Sequence, residues 1–181
     1  MKNKMQIEVD ERGNEKLIKE FINIICQYRR LVKNPFAHVR NLWNTYYIYS
    51  ALTVLLCGSF IKNIVKGNGD VLTMILTGAL LFALVTWIIR IVNLHKMVKK
   101  VKGDTRKSKI VLDETGVGIE KEGSVLKVSW EKIKALREFD GIACFIANDV
   151  GEGIVSFSKK YLQQIEQYIK ENEIDIQLIS N

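Results

Sequence analysis

The sequence predicts an α+β protein in which a transmembrane α-helical hairpin precedes a small antiparallel β-lobe that is closed by one helix. Three observations support this fold class. Two apolar runs, Tyr46 to Ile61 and Val71 to Ile89, contain no charged residue. After Lys109 the hydrophobic pattern changes from a helical period to the two-residue alternation of strands. A final stretch from Lys159 to about Asn172 again has apolar residues at helical spacing.

Residues 1 to 42 are predicted to form a cytoplasmic segment with one amphipathic helix. Residues 5 to 9 alternate between apolar and polar side chains, which suits either a strand or an unstructured tail. Asn14 offers an N-cap, and a helical pattern extends from it to about Val32. The apolar stripe of this helix consists of Leu17, Phe21, Ile24, Ile25, Tyr28 and Leu31.

Two placements of this helix are compatible with its sequence. It lies in the membrane interface, with its stripe in lipid and its basic end on anionic headgroups, or it packs on the C-terminal lobe or on a second subunit. The acidic residues Glu15 and Glu20 on its first turns favour packing slightly. Both placements stay open at the level of the sequence.

Residues 43 to 94 are predicted to form a two-helix transmembrane hairpin. A helix rises about 1.5 Å per residue, so about 20 residues cross a hydrocarbon layer of about 30 Å. The second apolar run has this length, and the first reaches it when residues 43 to 45 are included. Only helices and closed barrels satisfy their backbone groups in lipid, so two runs joined by residues 62 to 70 indicate a helical hairpin. A buried helix pair in a soluble protein is the less favoured alternative.

The residues that flank the two runs predict the orientation of the hairpin. Aromatic side chains that are typical of the headgroup level lie at its two ends, namely Trp43, Tyr46, Tyr47, Tyr49 and Trp87. Basic residues are frequent before the first run and after the second, whereas the connecting turn has only Lys62 and Lys66. The positive-inside rule therefore predicts a multi-pass protein of the cell (plasma) membrane with both termini in the cytoplasm.

Residues 95 to 107 are predicted to form a basic juxtamembrane helix or linker that ends near Gly103 and Asp104. The candidate contacts to anionic lipid are Arg90, Lys96, Lys99, Lys100, Lys102, Arg106 and Lys107. Near an anionic leaflet each such residue contributes about 1 kcal/mol of attraction. The positive-inside signal and a solvated helix end together explain the same residues, so specific lipid recognition remains an alternative.

Residues 108 to 181 predict a meander of six or seven short strands and one closing helix. Turn sequences at 113–116 and 121–124 separate the first three strands, and later turns fall at 140–141 and 148–153. The residues expected to form the core of this lobe include Trp130, Ile133, Phe157, Leu162 and Ile165. We expect truncation of Trp130 to alanine to unfold the lobe, because losing a buried aromatic side chain costs about 3–5 kcal/mol.

Several of these segments resemble the bacterial YcxB-like membrane proteins. The resemblance rests on the hairpin, the basic exit helix, I-V-L-D-E-T-G-V-G-I (110–119), V-S-W-E-K-I (128–133) and the closing helix. It implies a C-terminal pleckstrin-homology-like domain, which is a small antiparallel barrel or sandwich capped by a helix. The junction V-S-F-S-K-K (155–160) departs from the proline-containing junction of the family, so no ligand role is carried over to it.

The charge distribution excludes a nucleic-acid partner. The net charge is +7, but residues 1 to 109 hold 19 Lys/Arg against 7 Asp/Glu, whereas residues 110 to 181 hold 8 against 13. The predicted lobe is therefore acidic, and an acidic surface repels phosphate backbones.

No residue constellation in the sequence predicts catalysis or metal binding. Cys26, Cys57 and Cys144 are widely spaced and lack a C-x-x-C, which argues against a disulfide framework or a metal site. The two histidines, His38 and His95, flank the apolar runs, and the common catalytic motifs are missing. We expect no enzyme activity and no cofactor.

Two functional hypotheses follow. The first is a non-enzymatic, membrane-anchored protein that presents its cytoplasmic domain at the inner leaflet, where anionic headgroups and a protein partner or second copy are its contacts. The alternative is a bacteriocin-immunity or transporter-accessory protein that acts through its spans. The runs contain no Asp, Glu, Lys, Arg or His, which argues against an ion or charged-substrate pathway.

Overall fold

The computed structural model describes residues 4–9, 14–67, 69–104, 108–122 and 124–180. The chain forms two compact units, of which the first comprises residues 1–39 and 100–181 and the second residues 40–99. The helices are α1 (Glu15–Lys33), α2 (Leu42–Val65), α3 (Val71–Gly103) and α4 (Leu162–Glu171). The strands are β1 (Met5–Val9), β2 (Ser108–Asp113), β3 (Gly116–Lys121), β4 (Ser124–Ser129), β5 (Ile133–Glu138), β6 (Ile142–Ala147), β7 (Val155–Ser158) and β8 (Gln177–Ile179).

The first sheet contains β1, β2, β3 and β4 in that order, and all of its neighbours are antiparallel. β1 pairs with β2 in a register that places Met5 opposite Leu112 and Val9 opposite Ser108. Of the two interpretations of residues 5 to 9, the strand is therefore the one that the structure shows.

The second sheet has the order β7-β6-β5-β8. β5, β6 and β7 are antiparallel neighbours, but β8 runs parallel to β5. The expectation of a purely antiparallel lobe is wrong at this strand, because α4 returns the chain to the starting end of the sheet, as parallel pairing requires. Within the described residues the two sheets do not close into a barrel.

The first unit has two hydrophobic cores, one on each face of the second sheet. Residues of both sheets and of α4 form the first core, and residues of α1 and the second sheet form the second. β6 is buried along its whole length, with Phe145 in the first core and Cys144 in the second. A strand covered on both faces has a continuous apolar sequence instead of an alternating one.

α1 begins where its sequence predicts. The Asn14 side chain accepts hydrogen bonds from the backbone N–H groups of Lys16 and Leu17 at 3.1 and 3.3 Å. The helix buries Ile24 and Leu31 completely against the second sheet. Of the two placements that the sequence left open, the structure shows packing on the lobe.

The second unit consists of α2 and most of α3. Asn41 caps α2 by accepting from the Asn44 N–H at 3.2 Å, and Asp70 accepts from the Thr73 N–H at 2.8 Å. Both helices are long enough and apolar enough to cross a membrane. α2 extends to Val65, so the connection between the helices is shorter than the predicted turn of residues 62–70.

Candidate functional site

The strongest candidate for a protein-binding surface is the outer edge of β4. β4 pairs with β3 on one side, and no described strand pairs with its other side. Residues 124 to 127 are exposed, with Val125 at 70% and Leu126 at 38%. An exposed apolar edge strand is a template for pairing with another strand.

The two-residue alternation of Leu126, Val128 and Trp130 predicts that Leu126 faces inward. In the structure Leu126 is exposed and lies against Gly153, whose φ of +87° favours glycine. A Cβ atom at Gly153 would lie 2.7 Å from Leu126 Cδ1, so the turn before β7 and the edge of β4 are closely packed. Leu126 is therefore held in place while part of its side chain faces solvent.

An ion pair and hydrogen bonds link β4 to the 113–116 turn. Lys127 Nζ lies 2.6 Å from Asp113 Oδ2, and Asp113 Oδ1 accepts from the Thr115 N–H at 2.8 Å and from the Thr115 hydroxyl at 2.7 Å. Desolvation raises the pKa of Asp113, but the hydrogen bonds from Lys127 and Thr115 outweigh it and hold that pKa well below its usual range. The predicted turn at residues 113–116 is thus formed and anchors the edge strand.

Trp130 lies directly after β4 and is partly buried. Its Nε1 donates to the Asp113 carbonyl oxygen at 2.8 Å, and its ring meets Phe145 edge-on with 5.9 Å between centroids. The other predicted core residues are buried in the first core; they are Ile133, Phe157, Leu162 and Ile165. Trp130 is therefore attached to the core by one face and to the 113–116 turn by its indole N–H.

The predicted lipid-contact residues fall into groups with different surroundings. The Arg90 guanidinium lies 5.6 Å from the centroid of the Tyr46 ring and 5.3 Å from that of the Trp87 ring. Arg90 therefore makes cation–π contacts with aromatic side chains of the hairpin. Lys102 Nζ lies 2.6 Å from Glu15 Oε2. Hydrogen bonds from Lys102 and Lys19 lower the pKa of Glu15 to about 2.

The remaining lysines of this segment are more open. Lys96, Lys99 and Lys100 are exposed, and none of them has an ion-pair partner in the part of the chain that the structure describes. Arg106 and Lys107 lie outside the described residues. A free cationic surface is thus concentrated on residues 96 to 100.

Aromatic side chains cluster within the second unit. The Trp43 ring meets His95 edge-on with 5.0 Å between centroids, and the Tyr47 hydroxyl is 3.0 Å from His95 Nε2. Tyr49 lies 5.3 Å from Trp87. The residues predicted as an interfacial aromatic belt thus also link α2 to α3.

The hydrogen bonds of two buried residues of the first unit were not predicted from the sequence. The Tyr28 hydroxyl accepts from the Ala147 N–H at 2.9 Å and donates toward the Gly153 carbonyl at 3.2 Å, and burial raises its pKa to about 12. Arg137 donates to the carbonyl oxygens of Pro35 and Ala37 at 2.5 and 2.8 Å. Both partners are about a hundred residues away in sequence, and local patterns carry no signal for such pairs.

A cavity of about 300 Å³ lies within the first unit. α1 contributes Leu17, Ile18 and Phe21 to its lining, and β3 contributes Ile119. Lys100, at the end of α3, also lines the cavity. The sequence pattern gave no indication of this cavity.

Among the described residues, no group of three His, Cys, Asp or Glu side chains is placed to hold a metal ion. Cys144 is fully buried, and burial raises the pKa of its thiol to about 12. A thiol with this pKa is inert as a nucleophile near neutral pH. Comparison of the chain with protein-family models, curated proteins and solved structures finds no match in any of the three.

Proposed function

We propose that this chain is a non-enzymatic, membrane-anchored protein that presents a pleckstrin-homology-like domain to a protein partner at the inner leaflet of the plasma membrane. One observation carries the proposal: a unit of two apolar helices with exposed side chains is joined to a unit that has its own buried cores.

The exposure of the hairpin supports membrane anchoring. Within the most apolar 18-residue segment of each helix, only 11% is buried in α2 and only 6% in α3. A helix pair in the core of a soluble protein would cover its apolar side chains, whereas lipid covers them in a transmembrane hairpin. The apolar runs at 46–61 and 71–89 contain no Asp, Glu, Lys, Arg or His, so they act as an anchor and not as an ion pathway.

The proposed orientation places both termini and the first unit in the cytoplasm. Basic residues of the chain gather before α2 and along the end of α3, which is the distribution of cytoplasmic loops. The exposed lysines at 96, 99 and 100 then lie on the side of the anionic leaflet and add electrostatic attraction.

The arrangement of the strands supports the pleckstrin-homology-like interpretation. Four antiparallel strands form one sheet, the following strands form a second, and α4 packs on the core between them. In sequence, α1 and the hairpin are inserted between β1 and β2. The resemblance to YcxB-like proteins stays a prediction that agrees with this strand arrangement.

The edge of β4 is the surface through which the domain binds its partner. A partner segment would add a strand beside β4, with main-chain hydrogen bonds for affinity and contacts to Val125 and Leu126 for specificity. The groove beside α4 is less suitable, because the exposed face of that helix carries Gln163, Gln164 and Gln167.

The test uses the full chain in native membranes. Val125→Lys places a charge on the exposed edge, and Gln163→Lys places the same charge on the exposed face of α4 as a matched control. We expect crosslinking followed by purification to recover the same partner with the wild type and with Gln163→Lys, but not with Val125→Lys. Recovery of that partner with Val125→Lys at an undiminished level would refute binding at this edge.

A second candidate function is the immunity or transporter-accessory role, in which the spans themselves contact a larger membrane complex. Gly58 and Gly78 favour it, because no atom lies within 4 Å of a Cβ built on either residue. Small residues on an open helix face permit close approach of another helix. If exchange of residues 43–94 for an unrelated hairpin abolishes partner recovery while the first unit stays folded, this candidate replaces the first.

A further inference from the structure

The cavity of the first unit lies along the free edge of β7. β7 pairs only with β6 among the described strands, so the second sheet ends at this strand. Ser156 and Phe157 of β7 both line the cavity, although their side chains point to opposite faces of the sheet. The cavity therefore wraps around the edge strand, between α1 on one face and the first sheet on the other.

The lining of the cavity is amphipathic. Leu17, Ile18 and Phe21 supply an apolar wall, and Phe157 and Ile119 continue it. The volume of about 300 Å³ is at the lower end of the range of small-molecule sites. It is also about twice the roughly 150 Å³ of an apolar cavity that holds one benzene molecule. The space suits one alkyl chain.

The charged residues of the lining favour an anion. Lys121 Nζ lies 3.3 Å from Asp104 Oδ2, so these two charges offset one another. Lys100 lines the same cavity, and no carboxylate within the described residues is paired with it. The three charged residues of the lining thus leave one positive charge uncompensated.

We propose that this cavity binds a single-chain anionic amphiphile, with the alkyl chain against α1 and the carboxylate or phosphate headgroup at Lys100. The Ser156 hydroxyl, which also lines the cavity, is an additional hydrogen-bonding group for the ligand. The proposal goes beyond the proposed function, because it requires neither the edge of β4 nor a protein partner.

The experiment measures binding of radiolabelled dodecanoate to the full chain in phosphatidylcholine nanodiscs by equilibrium dialysis, with empty nanodiscs subtracted. We expect saturable binding of one dodecanoate per chain. Lys100→Gln should weaken it about fivefold, the value of one exposed ion pair, whereas the neighbouring Lys99→Gln, which does not line the cavity, should leave it unchanged. Uncharged dodecanol should bind more weakly than dodecanoate by a similar factor.

Ser156→Phe tests the location by filling the cavity. We expect this variant to lose saturable binding while it keeps the thermal transition of the wild type. If Ser156→Phe fails to fold, the difference in dodecanoate binding between Lys100→Gln and Lys99→Gln tests the location of the site. The proposal is overturned if dodecanoate binding does not saturate, if a folded Ser156→Phe variant binds as the wild type does, or if the two lysine variants behave alike.

A further arm distinguishes a membrane lipid from a free amphiphile as the source of the chain. The protein is extracted with its lipids, and bound single-chain lysophospholipid is counted by mass spectrometry before and after addition of dodecanoate. Release of one lysophospholipid per chain on addition of dodecanoate supports the site and identifies the bilayer as its source. Saturable dodecanoate binding without such release supports the site and identifies a free amphiphile.

Discussion

The two units place the same kinds of side chain in opposite environments. In the first unit Leu112 and Ile165 have no exposed surface, whereas in the second Leu55 is 70% and Phe82 76% exposed. An apolar side chain is stabilised by transfer out of water, and either a protein core or lipid fulfils this requirement. The same type of substitution should therefore have unequal effects in the two units.

The largest difference is expected for truncation of a branched apolar side chain. Ile165→Ala removes a fully buried side chain from the first core and should lower the free energy of unfolding by about 2–5 kcal/mol. Leu55→Ala removes a comparable side chain from the exposed surface of α2 and should change the unfolding of the first unit by less than about 0.5 kcal/mol. Hydrogen exchange of the β6 amides, measured for each variant of the full chain in nanodiscs, reports the change in the free energy of unfolding of the first unit. Equal protection in both variants would contradict the assignment of the first core.

A smaller difference is expected for the addition of one methyl group to a glycine. At Gly116 a Cβ atom would overlap the carbonyl oxygen of Val128, so Gly116→Ala must displace β4 and should cost about 1–3 kcal/mol. At Gly78 a Cβ atom meets no atom within 4 Å, and Gly78→Ala should leave the first unit unchanged. Chemical denaturation of both variants in nanodiscs measures the difference, and an unaffected Gly116→Ala would show that β4 is not fixed as described.

The local sequence was sufficient to predict the helix and strand limits that depend only on neighbouring residues. The Asn14 cap, the end of α3 at Gly103 and the limits of β6 agree with the sequence prediction, because capping, glycine and a bounded apolar run act over a few residues. β1 and β8 depend on partners far away in the chain, so their existence was ambiguous or missed. Likewise, the contact of Leu126 with Gly153 joins two separate segments of the chain, which a two-residue alternation does not encode.

The candidate sites were predicted less completely than the fold, for the same reason. The basic segment was recognisable because charge is a property of each residue, but the contact of Arg90 with Tyr46 depends on how α2 meets α3. The cavity arises where α1, the end of α3 and an edge strand meet. Such a site is a product of tertiary packing and has no local signature.

Removal of one hydroxyl group should also have unequal effects in the two units, because the Tyr28 hydroxyl is buried and the Tyr47 hydroxyl is exposed. Tyr28→Phe leaves the Ala147 N–H without its partner in the second core, which should cost about 1–3 kcal/mol. The matched variant Tyr47→Phe removes an exposed hydroxyl that lies 3.0 Å from His95, where water or headgroups replace it, and should have a smaller effect. The exchange rate of the Ala147 amide, measured in both variants, should rise only in Tyr28→Phe.

The smallest expected effects concern pH, and they belong to the first unit. The second unit contains a single acidic residue, Asp70, so the pH dependence of unfolding between about pH 2 and 6 arises mainly from carboxylates of the first. Two of these carboxylates lie on α1 and act with opposite sign. They are Glu15 and Glu20.

The pKa of Glu15 is lowered from 4.5 to about 2 by hydrogen bonds from Lys102 and Lys19, so its contribution to stability is present above pH 4.5 and is lost as pH falls toward 2. Burial raises the pKa of Glu20 although the Gly141 N–H donates to its oxygens at 3.0 and 3.1 Å. The contribution of Glu20 is therefore present below pH 4.5 and is lost as pH rises through its raised pKa. Ionisation of Glu20 therefore lowers the stability of the first unit as the pH rises to neutral.

Glu15→Gln and Glu20→Gln should consequently shift stability in opposite directions. At pH 7 we expect Glu15→Gln to lower the thermal midpoint of the first unit, because the charge-assisted contacts to Lys102 and Lys19 are lost. We expect Glu20→Gln to raise it, because the amide oxygen still accepts from the Gly141 N–H and no buried charge remains. Below pH 4 the advantage of Glu20→Gln should disappear, since Glu20 itself is then protonated. Thermal melts of the full chain in nanodiscs at pH 4 and pH 7 measure both shifts.

A lower thermal midpoint for Glu20→Gln than for the wild type at pH 7 would contradict this prediction. It would mean that the Glu20 anion stabilises the contact between α1 and the β5–β6 turn.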